Sequence, residues 1–180
     1  NDIQKASEII KDGWLVAFPT ETVYGLGANA LDEVAVRKIF EAKWRPADNP
    51  LIVHIAERTD IEKYAKNIPP LAYNLIEKFW PGPLTLVLEK QSIVPDITAA
   101  WLATVCLRMP DHPIALELIR TSWVPLAGPS ANTSTRPSPT SSEHVLDDMD
   151  GRIHAVIEWE VSEIGIESTV LDLTVSPPVI

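Results

Sequence analysis

At 180 residues, 46% hydrophobic and 22% charged, the chain has the composition of one globular domain that can bury a core, not of a disordered segment. No apolar run approaches the roughly 18 residues that span a bilayer, and the polar opening stretch has no secretory apolar region. The single cysteine, Cys106, excludes an internal disulfide or a thiolate metal cluster and suits a reducing, cytoplasmic setting. A formal charge of −10 argues against non-specific binding of phosphate backbones, which rests on Lys and Arg displacing counterions; an anionic ligand should be small and held by a few placed cations.

In chain order, residues 2–12 predict a helix, because Ile3, Ala6, Ile9 and Ile10 share one face and Gly13 is a natural stop. Residues 15–18 are a short apolar run of strand type that Pro19 ends. Asp32 suits the N-cap of a helix through residue 42, with Val34, Val36, Ile39 and Phe40 at its apolar positions. Residues 51–55 read as a buried strand, and 68–79 as a helix broken by the Pro81-Gly82-Pro83 turn. Strands are expected over 84–88 and 103–109, then a helix over 113–122 with proline in its first turn. Residues 124–128, 153–157 and 168–173 read as further strands, and Ser141 or Ser142 would cap a helix running to Asp150. Alternating helices and about seven short strands predict an α+β, layered α/β arrangement around one sheet, with strand directions left open. Residues 129–142, rich in Ser, Thr and Pro, read by themselves as a surface connector.

Several segments carry polar groups of the kinds that bind ligands. In residues 18–27 a strand ends, Thr20 and Thr22 flank Glu21, and Gly25 and Gly27 allow a close turn; a strand-to-helix turn with threonine caps would look the same. Lys43 ends a predicted helix, where a cation against the helix dipole is the simple explanation. With Arg45 and Asn49 nearby, it also makes a compact site for a triphosphate, a point charge beside a planar fork. His54, at a strand end, is either a satisfied edge histidine or a ligand group. Strand alternation puts Thr104, Cys106 and Arg108 on one face. An arginine there needs an anion, either an internal carboxylate or that of a substrate. Ser130 and Asn132, Arg136 to Thr140, and Glu167 to Thr169 add small polar groups beside strand ends, where open α/β sheets bind ligands. No nucleophile and base pair is present, and the histidines show no metal-ligand spacing, so catalysis by positioning and charge stabilisation is expected.

The segments FPTETVYGLGANA, KxRPxxNPLIVH, FWPGPLTLVL, TVxxRMP, PSANxSxRPSPT and GIESTVLDL follow one another in this chain. In that order they resemble the YrdC-type family of threonylcarbamoyl-AMP synthases, over nearly the whole chain. The resemblance implies a YrdC-like fold, a twisted, mixed, seven-stranded sheet flanked by helices, in a single domain over residues 1–180 with the family's C-terminal extension absent. It implies a nucleotidyl transfer that joins L-threonine, bicarbonate and ATP into threonylcarbamoyl-AMP and pyrophosphate, for a threonylcarbamoyladenosine modification of tRNA completed by a separate transferase complex. On the same resemblance Lys43, Arg45, Asn49, Thr104, Ser130, Asn132 and Ser138 would contact ATP, with Lys43 and Arg45 stabilising charge on the phosphates. Thr20, His54, Arg108 and Ser168 would form the threonine pocket, with Arg108 on the carboxylate. Magnesium would bridge the phosphates, without protein side-chain ligands.

Trp14, Trp44, Trp101, Trp123 and Trp159 stand where the resemblance implies glycine, as do Thr135 and Glu160. Where such a position needs positive φ, the larger residue is strained. Trp44, between Lys43 and Arg45, would point to solvent, stack on an adenine or block the site. Two other functions are weighed: a YrdC-like module that holds RNA without chemistry, with possible weak tRNA contact, and a piece of a carbamoyltransferase that uses carbamoyl phosphate.

Overall fold

The computed structural model describes residues 2–180. Helix α1 (Asp2–Lys11) leads to strands β1 (Val16–Phe18) and β2 (Gly25–Asn29), then α2 (Glu33–Lys43) and β3 (Ile52–His54). A 3₁₀ turn (Arg58–Asp60) runs into α3 (Ile61–Tyr64), followed by β4 (Ala65–Lys66), α4 (Pro70–Phe79), β5 (Leu84–Lys90) and β6 (Thr104–Arg108). The chain continues through α5 (Pro113–Ser122), β7 (Leu126–Ala127), α6 (Ser142–Met149), β8 (Ala155–Val156) and β9 (Thr169–Asp172). The strands form one mixed sheet in the order β4-β5-β6-β3-β7-β2-β1-β8, and β9 pairs with β5 beside β4. Pairs β1–β8, β3–β6 and β5–β9 are parallel, and the remaining pairs are antiparallel.

Local chemistry sets the helix ends. The Asp32 carboxylate accepts from the amides of Val34 and Ala35, satisfying donors that the first turn of α2 leaves free. Ser141 does the same for α6 by accepting from the His144 amide, and α4 and α5 begin on prolines that have no amide to satisfy. Two-residue alternation then divides the sheet into two faces. Ala17, Leu26, Ala28, Val53, Leu86, Leu88, Val105, Leu107 and Ala127 pack against α2, α4 and α6 in the larger core. Val16, Phe18 and Leu126 face the other way, against Ala6 and Ile10 of α1 and Ala115, Leu118 and Ile119 of α5. Helices α1 and α5 cover only the β1–β2–β7 end of that second face. The same face of β3, β6, β5 and β9 is left without a helix, and the site lies there.

All seven expected strands are present, and two more join them. The short strand β4 had no periodic signal. Strand β2 lies where the sequence suggested a glycine turn. Its glycines serve close packing: a Cβ on Gly25 would lie 2.9 Å from the Phe18 ring, and one on Gly27 would lie 3.0 Å from it. Leu26 and Ala28 fill the opposite face, so β2 is an ordinary strand whose second face is filled by a neighbour's ring.

Three of the five unexpected tryptophans adopt the left-handed backbone that glycine tolerates: Trp44 (φ 51°), Trp101 (φ 60°) and Trp123 (φ 59°), with Thr135 at φ 78°. Trp44 and Trp123 are the C-caps of α2 and α5, and their amides close the last turn. Trp123 is 87% exposed, so its ring recovers little of the backbone cost by burial. The left-handed conformation costs an L-residue about 1–2 kcal/mol, against about 0.5–1 kcal/mol for the extra chain freedom of glycine. Trp123→Gly is therefore expected to stabilise the fold by about 0.5–1 kcal/mol, a rise of about 1–4 °C in Tm for a chain of this size. Differential scanning calorimetry checks this, and an unchanged or lower Tm would show that the ring makes compensating contacts.

Candidate active site

Residues from six parts of the chain converge on a cavity of about 470 Å³ over the uncovered face. Strand β6 contributes Thr104, Cys106 and Arg108, and β9 contributes Val170 and Asp172. Thr22 and Val23 come from the β1–β2 connection, and Arg45, Asn49 and Pro50 from the α2–β3 connection. Gly128, Pro129 and Ser130 follow β7, and Glu167 and Ser168 precede β9. Of the residues singled out in the sequence, Arg45, Asn49, Thr104, Ser130, Arg108 and Ser168 thus line one space. No tryptophan lines it. Trp44 is 72% exposed and stacks under the Arg152 guanidinium, 3.3 Å from the ring centroid, so it turns away from the cavity between its two cations.

Arg108 is the best-defined group. Its side chain is only 4% exposed, and Nη2 donates to Glu21 Oε1 at 2.6 Å and to Thr22 Oγ1 at 3.1 Å. Nε donates to the Gly82 carbonyl at 3.3 Å. An internal carboxylate therefore meets the arginine, one of the two possibilities left open by its place in an apolar strand. His54 is its register partner on the parallel strand β3. Burial, and then the Arg108 charge, push the His54 pKa down from 6.5 to about 3, so its ring is neutral at physiological pH. Its Nδ1 is buried without a partner. Gly128, on the cavity wall, is what lets it in: a Cβ there would lie 2.8 Å from that nitrogen.

Lys43 is buried beneath the loop after β7. Its ammonium donates to the carbonyls of Ser130 and Asn132, the latter at 2.5 Å, and its own carbonyl accepts from the Ser134 amide. Burial, and then the neighbouring Arg45 charge, lower its pKa from 10.5 to about 7. In this arrangement Lys43 shapes the Ser130–Asn132 backbone instead of projecting into the cavity. Asn132 is likewise engaged, donating to the Thr133 and Arg136 carbonyls at 2.9 and 2.7 Å, with its Oδ1 buried and unpartnered. Thr20 holds the 20–23 turn, donating to the Val23 carbonyl at 2.6 Å and accepting from the Val23 amide. Ser168 shares a 2.7 Å hydrogen bond with Thr85. Ser138 stands at the rim and donates to Glu167, which joins the 136–140 loop to the cavity wall.

Sequence reasoning placed Glu167 in a polar segment beside a strand end and missed Asp172 as a wall residue. Asp172 had a usable signal, since alternation along residues 168–173 puts it on the face of Val170 and Ser168. Cys106 was on the page as a neighbour of Arg108. Burial, with help from Asp172, pushes its thiol up to about 11, which leaves it protonated and unsuited to nucleophilic work near neutrality. Among the described residues no three His, Cys, Asp or Glu side chains converge as a metal-binding group, and no helix is long and apolar enough to cross a membrane.

The profile of a protein family described as Telomere recombination (Sua5_yciO_yrdC) matches residues 8–180. The chain belongs to the Sua5/YciO/YrdC family. It is 58% identical over 178 residues to a threonylcarbamoyl-AMP synthase of Pyrococcus abyssi, covering 99% of this chain and 52% of that protein. It is 52% identical over 180 residues to the threonylcarbamoyl-AMP synthase of Bacillus subtilis, again covering 99% and 52%. The crystal structure of P. abyssi Sua5 complexed with L-threonine matches with a TM-score of 0.97 and 58% identity, over 98% of this chain and 52% of that one. The chain thus spans about half the length of these family members. The YrdC-like fold that the motifs implied is the one found.

Proposed function

We propose that this chain carries the active site of a threonylcarbamoyl-AMP synthase, which joins L-threonine, bicarbonate and ATP and releases pyrophosphate. The observation that carries this reading is the cavity itself. Its wall holds the buried Arg108, a second arginine, Arg45, the Asn49 side chain and the hydroxyls of Thr22, Thr104, Ser130 and Ser168, with the neutral His54 ring packed against wall residue Gly128. The identity to synthases and the likeness to a threonine-bound relative support it.

Threonine lies at the Arg108 end, its carboxylate on the guanidinium, within a pocket that Thr20, His54 and Ser168 shape. The triphosphate lies toward Arg45 and Asn49, with Thr104 and Ser130 along the wall and Asn132 and Ser138 supporting the loop above. The threonine amine, having lost its ammonium proton, attacks bicarbonate with release of water, or carbon dioxide with release of a further proton, to form a carbamate. A carbamate oxygen then attacks the α-phosphorus of ATP, the bond to the bridging oxygen breaks, and pyrophosphate leaves with the electron pair. Arg45 stabilises charge on the phosphates directly, and Lys43 does so from beneath the Ser130–Asn132 loop. Magnesium would be carried by the nucleotide and would neutralise phosphate charge, since no three His, Cys, Asp or Glu side chains converge to hold it among the described residues. A tRNA-modifying transferase complex consumes the product, with at most weak direct tRNA contact, in a cytoplasmic setting.

Isothermal titration with L-threonine, with and without ATP and magnesium, together with pyrophosphate release, tests the reading. Saturable, stereospecific threonine binding and threonine-dependent pyrophosphate are expected; a folded sample that binds no threonine overturns it. Lys43→Ala should cut nucleotide affinity or turnover by about 10- to 100-fold, because two carbonyls lose a charged donor. An unchanged rate would remove Lys43 from the site.

A further inference from the structure

The contacts of Arg108 single out a residue that nothing above assigns to ligand recognition. Nε and Nη2 are both committed inward, to Gly82, Thr22 and Glu21. Nη1 has no protein acceptor among the described residues, so it is the nitrogen left for the cavity. Glu21 is not part of the cavity wall. It is 6% exposed, its Oε1 takes the arginine, and its Oε2 is buried without a partner. Oε1 supplies the anion that the buried guanidinium needs, while the unsatisfied Oε2 adds a cost in stability that pairing alone does not explain.

Electrostatics gives the charge a use. With Glu21 in place the buried pair is neutral overall, and Arg108 is the member that lines the cavity. A ligand that brings only a carboxylate places a net negative charge against a neutral pair. An α-amino acid brings a carboxylate for Nη1 and also an ammonium, which the Arg108 charge alone would repel and whose repulsion the Glu21 charge offsets across the low-dielectric wall. We propose that Glu21 is a specificity-determining residue, which makes the Arg108 subsite prefer an amino-acid zwitterion over a simple carboxylate.

The proposal rests on the threonine reading above, and the test separates the two. The ligands are L-threonine and (R)-3-hydroxybutanoate, which carries a carboxylate and a β-hydroxyl but no ammonium. Binding is measured by titration calorimetry for the unmodified protein, Glu21→Gln and Glu21→Asp. The Gln variant keeps an oxygen for Nη2 and removes the charge; the Asp variant keeps the charge. In the unmodified protein threonine should bind at least 10-fold more tightly than hydroxybutanoate. In Glu21→Gln the ratio of threonine to hydroxybutanoate affinity should fall about 10-fold, so discrimination collapses; Glu21→Asp should retain most of it. Equal weakening of both ligands, in whichever variant folds, makes Glu21 a structural anchor only and overturns the proposal while leaving the threonine reading intact. An unmodified protein that binds neither ligand overturns both.

Discussion

Arg108→Ala is expected to reduce threonine affinity by 100-fold or more, to leave ATP affinity nearly unchanged, and to destabilise the fold at the same time. The two losses have different origins. On the proposed reading binding fails because the cavity wall loses the buried Arg108 guanidinium, and truncating one partner of a buried charge pair costs about 2–5 kcal/mol. Stability falls because Glu21 is left as an uncompensated buried carboxylate, which costs about 3–5 kcal/mol in comparable cases. A double variant separates the effects. Arg108→Met with Glu21→Gln replaces the ion pair by an apolar side chain and a neutral amide, and should recover most of the lost melting temperature without recovering threonine binding. Titration calorimetry and thermal melts of both variants check this. If the alanine variant weakens ATP and threonine equally, Arg108 does not define a threonine subsite. If the double variant melts as low as the single one, the Glu21 charge is not what the arginine compensates.

The same residue shows how far the sequence could be read. Alternation alone put Thr104, Cys106 and Arg108 on one face, and the structure keeps them there. Alternation could not say which anion meets Arg108, because Glu21 lies 87 residues away in the chain and only the fold brings it within 2.6 Å. The helix caps were legible for a similar reason: Asp32 and Ser141 act on amides two or three residues on, a distance that sequence spacing encodes. Strand β2 was not legible, since Gly25 and Gly27 make sense only once the Phe18 ring from the adjacent strand fills their side of the sheet. Lys43 was found as a candidate, but its orientation depends on the carbonyls of a loop 87 and 89 residues further on. Local periods, caps and turn residues could thus be read directly, while the partners that decide what a charged group does came from long-range packing.

His54 gives the second large effect, a loss of stability on mild acidification. In the fold its ring is held neutral, with the pKa lowered from 6.5 to about 3 by burial and then by the Arg108 charge. In the unfolded chain it titrates near its ordinary value. Between these two values the unfolded state binds a proton that the folded state refuses, so stability falls as pH drops below 6.5 and is independent of this group above it. From pH 7.5 to 5, before most carboxylates titrate, the loss from His54 should approach about 2 kcal/mol. His112 and His154 are also lowered by burial and add to the same limb. His54 is the most deeply buried of the three and has the lowest value, so it should dominate. Urea unfolding at pH 7.5, 6.0 and 5.0 measures the slope. In His54→Gln, which keeps a polar side chain and cannot take the proton, the slope should fall to less than half. An equal slope in both proteins would place the acid sensitivity in His112 and His154, and would mean that the ring beneath Gly128 accepts a proton in the folded state. The neutral ring also bears on the site, because a protonated His54 beside Arg108 would add a second positive charge where one carboxylate binds. Threonine affinity measured over the same pH range should therefore stay flat for as long as the fold persists.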